Sequence, residues 1–259
     1  MLKRRHLVIG MASLPLASFL AAGLSPAFSQ TDTPTLDGDT LTTADGDVII
    51  HPVDHASLLL GWQDQVIYVD PVGGAELYQG LPAPTAILIT HAHGDHFDIP
   101  TLEAIAGTVP ILTTQEVFDK LPEALKANAT AVANGEEGAL NALPVAAIPA
   151  HNTTPDRMNY HPVGVGNGYL VKFADKIVYI AGDTEPTPEM LALENIDIAF
   201  LPMNLPYTMT VDQAAEAVNT FKPRIVYPYH YAESDLEAFK AQVGEGVEVR
   251  LRNWYPNAG

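Results

Sequence analysis

Residues 85–96, TAILITHAHGDH, constrain this chain more than any other stretch. A continuous apolar run ends at Thr90, and four potential metal ligands, His91, His93, Asp95 and His96, follow within six residues. The run reads as a buried strand. Along an extended chain, residues two apart point the same way, so His91 and His93 can grip one ion together. Asp95 and His96 come after Gly94, where the chain can turn, and can face a second ion. Imidazole and carboxylate groups suit borderline divalent metals such as zinc. Three histidines and an aspartate clustered at a strand end are costly unless something satisfies them. The fold must therefore bring a buried strand to the rim of a metal-binding depression.

Composition narrows the chemistry. The chain has 259 residues, no cysteine, 13 Lys+Arg and 31 Asp+Glu, for a net charge of −18. With 47% hydrophobic and 17% charged residues, it is too apolar to be disordered. Its acidity excludes a general nucleic-acid binder, which needs Lys and Arg to neutralise phosphates. The absence of cysteine excludes disulfide scaffolds, thiolate zinc sites and cysteine nucleophiles.

The first 29 residues read as an address. Lys3, Arg4 and Arg5 form a basic start, an apolar run occupies 7–24, and Ala27-Phe28-Ser29 supplies small residues at the −3 and −1 positions of a cleavage site. This predicts a cleaved signal peptide rather than an uncleaved anchor. The adjacent arginines fit the twin-arginine route, so the expected location is the periplasm. The segment carries three basic residues and no acid, so its removal leaves 10 Lys+Arg against 31 Asp+Glu, or −21. Residues 30–46 are Thr/Asp/Gly-rich and read as a flexible leader. A single domain is expected over 47–259.

Within that domain the spacing predicts strands over 48–50, 57–60, 66–69, 85–90, 110–113, 145–148, 168–173, 176–180, 196–201, 224–227 and 247–251. Helices are predicted over 99–105, 115–125, 187–193, 210–220 and 234–242. A strand-rich opening followed by alternating strands and helices points to an α/β layered fold, two mixed sheets with helices outside.

At this point the sequence resembles a known family. His91-x-His93-x-Asp95-His96 is similar to the signature of the metallo-β-lactamase superfamily. Ala181-Gly182-Asp183-Thr184 resembles its later segment, whose aspartate bridges two metals, and Tyr229-His230 resembles its final histidine ligand. His55-Ala56-Ser57 and Val69-Asp70-Pro71 resemble early segments of the branch that includes ascorbate-6-phosphate lactonase and the phosphodiesterases acting on N-acyl phosphatidylethanolamine. The resemblance covers nearly all of 47–259. It implies an αββα sandwich and a binuclear site. A third histidine is needed for the first ion. Strand direction alone leaves His151 and His161 both open, while the segment Asn159-Tyr160-His161-Pro162 before Gly166-Asn167-Gly168-Tyr169 resembles a sub-branch in which the His-Pro histidine binds.

The resemblance thus implies His91, His93 and His161 on one metal, Asp95, His96 and His230 on the other, and Asp183 between them. It implies hydrolysis of a small ester, lactone or phosphodiester by a metal-bound hydroxide, with Asp95 also shuttling a proton. The cofactors expected are two divalent ions, zinc first, with manganese or iron as substitutes. His55 and Asp70 are expected to support the ligands. His51 reads as structural, and Tyr207, Thr208 and Met209 as a loop that either lines the pocket or packs on itself. An iron-dependent oxidoreductase on the same fold and a non-catalytic metal-binding protein are the alternative functions. The partner expected is a small-molecule substrate, with no nucleic acid and no stable membrane association once the signal is removed.

The export reading makes a direct prediction. Replacing Arg4 and Arg5 by Lys is expected to block export, assayed by cell fractionation; normal export of the variant would refute the twin-arginine route.

Overall fold

A computed structural model describes residues 35–256. The signal-peptide segment 1–29 lies outside the described residues. Among those described, no helix is long and apolar enough to cross a membrane.

The first half of the chain builds one seven-stranded sheet. Strands β1 (Asp39–Thr43), β2 (Gly46–Asp54), β3 (Ser57–Trp62) and β4 (Gln65–Val69) form an antiparallel meander. Strands β5 (Ala86–Leu88), β6 (Ile111–Thr113) and β7 (Ala129–Ala131) then add in parallel. The second half repeats the plan. Strands β8 (Glu137–Leu140), β9 (Leu143–Ala150), β10 (Gly166–Phe173) and β11 (Lys176–Ile180) are antiparallel, and β12 (Ile198–Pro202), β13 (Ile225–Tyr229) and β14 (Glu248–Val249) continue in parallel.

Period-2 alternation sorts the side chains between layers. Ile67 and Val69 of β4, Val178 and Ile180 of β11, and Tyr227 and Tyr229 of β13 fill the space between the sheets, with Phe200 and Trp254. Tyr68 and Ile87 face the other way, against α1 (Ile99–Ile105), α2 (Gln115–Lys120) and α3 (Glu123–Lys126). Tyr179, Leu201 and Val226 meet α4 (Pro188–Leu191), α5 (Val211–Phe221) and α6 (Leu236–Gln242). The inner parallel strands β12 and β13 are buried throughout, as expected of strands covered on both faces. The result is the expected helix–sheet–sheet–helix sandwich.

Three local expectations change. The helix expected over 115–125 breaks into α2 and α3, because Pro122 forces the preceding Leu121 out of helical geometry (ψ 143°). Strands β7 and β8 are short and largely unburied, so they leave little hydrophobic pattern to read. The flexible leader reading of 30–46 is corrected in part, since residues 39–43 are strand β1. Leu41 is buried between the sheets, and Asp39 accepts from Tyr227 Oη (2.7 Å) and pairs with Arg252 (2.8 Å).

Side-chain bonds join the sheets next to the strand end that carries the histidines. The buried Tyr169 hydroxyl donates to Ile89 O (3.1 Å) and accepts from Asn167 Nδ2 (3.1 Å). Tyr169→Phe leaves both partners short of a bond in a dry interior. It is expected to lower unfolding free energy by about 1–3 kcal/mol, read as a lower denaturant midpoint at unchanged slope.

Candidate metal centre

The site lies at the chain ends of the inner strands. Asp70 follows β4, His91–His96 follow β5, Asp183 follows β11 and His230 follows β13. His55 turns the β2–β3 hairpin and His161 lies in the link between β9 and β10. His55, Asp70 and His230 hold left-handed backbone angles (φ 52°, 44° and 47°), sparsely populated for residues other than glycine. His230 N donates to His55 O (3.0 Å), which locks two of the three together.

Asp70 is the base of the arrangement. It is fully buried and accepts from Thr90 N (2.7 Å), Thr90 Oγ1 (2.6 Å) and His96 Nδ1 (2.7 Å). Thr90 has spent its hydroxyl hydrogen on Asp70, so its oxygen accepts the Nδ1–H of His91 (3.0 Å). His161 Nδ1 likewise donates to Tyr207 O (3.1 Å). Each of these three histidines is thereby turned with Nε2 toward one region, as metal-ligating imidazoles require.

Asp183 occupies that region. One of its carboxylate oxygens, Oδ2, lies 3.2 Å from His161 Nε2, 3.3 Å from His230 Nε2 and 4.0 Å from His91 Nε2; Oδ1 lies 3.3 Å from His96 Nε2. His91 Nε2 faces His93 Nδ1 at 3.1 Å. Asp95 Oδ2 is within 3.1 Å of His55 Nε2 and 3.3 Å of His230 Nε2. Ligand atoms of His91, His93 and His161 fall within 4.8 Å of one another; so do those of His91, His96 and Asp183, and of His55, Asp95, His96 and His230. His151 joins no such group, and its Nδ1 lies 3.0 Å from Asn152 O. His51 is likewise elsewhere, against Asp37.

Histidine and carboxylate neighbours set each other's charge states. Burial would raise the Asp183 carboxyl, but His230 and His96 outweigh it and hold it well below the usual range. Burial would likewise raise Asp95, which hydrogen bonds from His230 and His55 hold down. Burial, with His96, His161 and His93 nearby, pushes His91 well below the ordinary value, and burial and His161 lower His93. Burial also works against a charged His96, but Asp183 and Asp70 on either side prevail and hold it well above. His96 Nε2, His161 Nε2 and Asp183 Oδ1 are buried yet aligned with no hydrogen-bond partner. Unsatisfied buried polar atoms are costly, and these three converge. A nitrogen-and-oxygen set of this kind fits a divalent cation of the zinc, manganese or iron type.

Gly182 lets this happen. Its φ of 64° suits glycine, and a Cβ there would sit 2.9 Å from Asn167 O and 3.1 Å from Thr90 Cβ.

Above the cluster opens a cavity of ≈ 360 Å³. His93, Asp95, His161, Asp183 and His230 form its floor, and Asn159, Tyr160, Asn204 and Tyr207 its walls. Tyr207 thus lines the pocket, whereas Thr208 and Met209 are buried.

Glu185 gave no signal in the sequence, because its partners are assembled only by the fold. It is fully buried, and its Oε2 accepts from the backbone of Thr153 (2.7 Å) and Thr154 (2.5 Å), while Oε1 pairs with Arg157 (2.5 Å). Arg157 donates onward to Thr208 O (3.0 Å) and Gln213 Oε1 (3.1 Å). The clamp joins the loop of His161 to the loop of Tyr207. Breaking a buried pair of this sort costs about 3–5 kcal/mol. Glu185→Gln is expected to lose stability on that scale in denaturant titration and to weaken metal retention; an unchanged midpoint would show that the clamp holds nothing.

The Beta-lactamase superfamily domain family matches residues 50–230, a segment that ends on His230 and holds every site residue named above. A UPF0173 metal-dependent hydrolase of Pyrococcus horikoshii is 34% identical over 173 residues, 63% of this chain and 76% of that protein. The crystal structure of a protein described as a metal-dependent hydrolase from Parabacteroides distasonis is 41% identical, with a TM-score of 0.77 over 84% of this chain and 99% of that one. A metallo hydrolase from Ignicoccus hospitalis, at 24% identity and a TM-score of 0.67 over 80% and 95%, shares the fold. Family match, relatives and architecture agree: the chain belongs to the metallo-β-lactamase superfamily and, within it, to the UPF0173 metal-dependent hydrolase family.

Proposed function

We propose that the protein is a hydrolase whose cluster holds two divalent metal ions, zinc being the best fit, with His91, His93 and His161 at one and Asp95, His96 and His230 at the other, and Asp183 between. The observation that carries this is the convergence of the buried His96 Nε2, His161 Nε2 and Asp183 Oδ1, none with an aligned hydrogen-bond partner, beside a cavity floor that His161 and Asp183 line. Bound there, such ions act as Lewis acids and lower the pKa of water from about 15.7 to about 7.

The chain's own groups do the rest. Asp70 and Thr90 fix the tautomers of His96 and His91. Asp95 is exposed on the floor, kept ionised by His55 and His230, with Oδ2 engaged by both. Its carboxylate is placed to take a proton from the attacking water and return it to the leaving group. Tyr160, Tyr207 and the two asparagines enclose the substrate and limit access of bulk water.

The segments around His55 and Asp70 support placement beside ascorbate-6-phosphate lactonase and the N-acyl phosphatidylethanolamine phosphodiesterases as a matter of scaffold. Asp70 holds His96 and His55 meets Asp95, which supports a positioning role for both. The basic start and apolar run of the first 29 residues support export to the periplasm.

Chelation is expected to abolish ester or lactone hydrolysis and to lower the thermal midpoint, since a ligand that binds only the folded state stabilises it. Zinc or manganese should restore both. His93→Ala should lose at least 100-fold in kcat/KM with an unchanged circular dichroism spectrum. Full activity without metal, or bound iron with oxygen consumption in place of hydrolysis, would overturn the reading.

A further inference from the structure

Beyond the reaction type, the walls of the cavity carry information about what enters it. Among the described residues, the large hydrophobic side chains left exposed are Met158, Val163, Leu205 and Tyr207 (42%, 63%, 53% and 46%). All four lie on the two loops that border the cavity: Met158 and Val163 flank His161, and Leu205 and Tyr207 follow Asn204. Exposed apolar side chains scattered singly need no explanation, but these four share the two loops that border one pocket, Tyr207 lining the cavity itself and Leu205 an adjoining depression that shares Asn204 with it, and such a grouping marks a binding surface. Tyr160 and Tyr207 meet edge to face across the loops, with ring centroids 5.1 Å apart, and present apolar ring surface to the same mouth.

The charges point the same way. Among the described residues no lysine or arginine lines the cavity, whose walls are two tyrosines and two neutral amides above a floor with two carboxylates. Arg157, on the loop of His161, is committed to Glu185, Thr208 O, Thr154 Oγ1 and Gln213. A phosphate or carboxylate held away from the metal ligands would therefore find no cation, and such groups are normally met by Arg or Lys. The net charge of −18 adds a repulsive field for anions.

From this juxtaposition, and resting on the hydrolase reading above, we propose that the substrate is an uncharged ester or lactone bearing an apolar alkyl or aryl arm, whose arm lies on Met158, Val163, Leu205 and Tyr207 while its carbonyl reaches the floor. Water adds to the carbonyl carbon, forming a new C–O bond. The bond to the leaving oxygen breaks, its electron pair stays with that oxygen, and the water-derived proton moves to it, giving a carboxylic acid that ionises and a neutral alcohol. No oxidant or further reactant is needed. Asn159 and Asn204 give the mouth neutral hydrogen-bond donors, which suit a polar but uncharged head group.

The experiment uses zinc-loaded full-length protein and p-nitrophenyl esters of acetate, butyrate, hexanoate and octanoate. Alongside them run bis(p-nitrophenyl) phosphate and an ester of hexanedioic acid matched in length but carrying a free carboxylate. The expected result is a rise in kcat/KM of about two- to fourfold per added methylene, as burial of each CH₂ predicts, carried mainly by KM. The carboxylate-bearing ester should fall at least 30-fold below hexanoate, and the phosphodiester below every ester. Leu205→Ser and Val163→Ser together should cut the octanoate-to-acetate ratio at least tenfold, and Leu205→Met should keep it. A flat response to chain length, or a preference for the phosphodiester or the carboxylate-bearing ester, would overturn this inference and leave the hydrolase reading standing. Hydrolysis of none of the substrates by metal-loaded protein would instead overturn the reading on which it rests. Should Leu205→Ser and Val163→Ser dissociate a dimer in sedimentation while the chain-length response stays flat, the rim is an interface between copies and the inference fails.

Discussion

The buried carboxylate of Asp70 governs the rest of the site. It sits in a dry interior and takes hydrogen bonds from the Thr90 backbone, the Thr90 hydroxyl and His96 at once. A buried charge is tolerated only when it is so satisfied, and satisfying it has consequences two bonds away. The Thr90 hydroxyl, pointed at Asp70, is left as an acceptor and fixes His91, while the same carboxylate fixes His96. One aspartate therefore sets the tautomer of an imidazole in each of two ligand groups, and the strand end that carries the cluster cannot shift without breaking all three bonds.

Much of the layout could be read from the chain because its key signal is local. His91, His93, Asp95 and His96 sit within six residues, and their chemistry follows from spacing alone. Asp183 and His230 required the resemblance, since nothing in their own neighbourhoods marks them. The choice between His151 and His161 depended on the path of a long link between two strands, which periodicity does not describe. The fold brings His161, and not His151, together with His91 and His93; Asn152 O lies 3.0 Å from His151 Nδ1, and Asn152 N–H binds His161 O (2.9 Å). Strand β1 and Glu185 were illegible for one reason: what stabilises them is distant in sequence. Asp39 meets Tyr227 and Arg252, and Glu185 meets residues about thirty positions earlier.

The acidity of the chain also takes on a sharper meaning. A surface dense in carboxylates ordinarily tells little beyond solubility. Here the site adds three acids of its own, Asp70, Asp95 and Asp183, which histidines meet rather than lysine or arginine among the described residues. The cluster draws cations inward, while the cavity above it offers nothing to an anion except what those cations bring.

The repeated strand plan has a last consequence. Residues 39–131 and 137–249 each run four antiparallel strands and then three parallel ones. The candidate ligands divide between these halves: His91, His93, Asp95 and His96 from the first, and His161, Asp183 and His230 from the second. Each proposed ion therefore bonds to both halves, and acts as a rivet through the seam between two sheets. The chain has no cysteine, so beyond the apolar core shared by the two sheets the proposed ions are the strongest cross-link available between the halves.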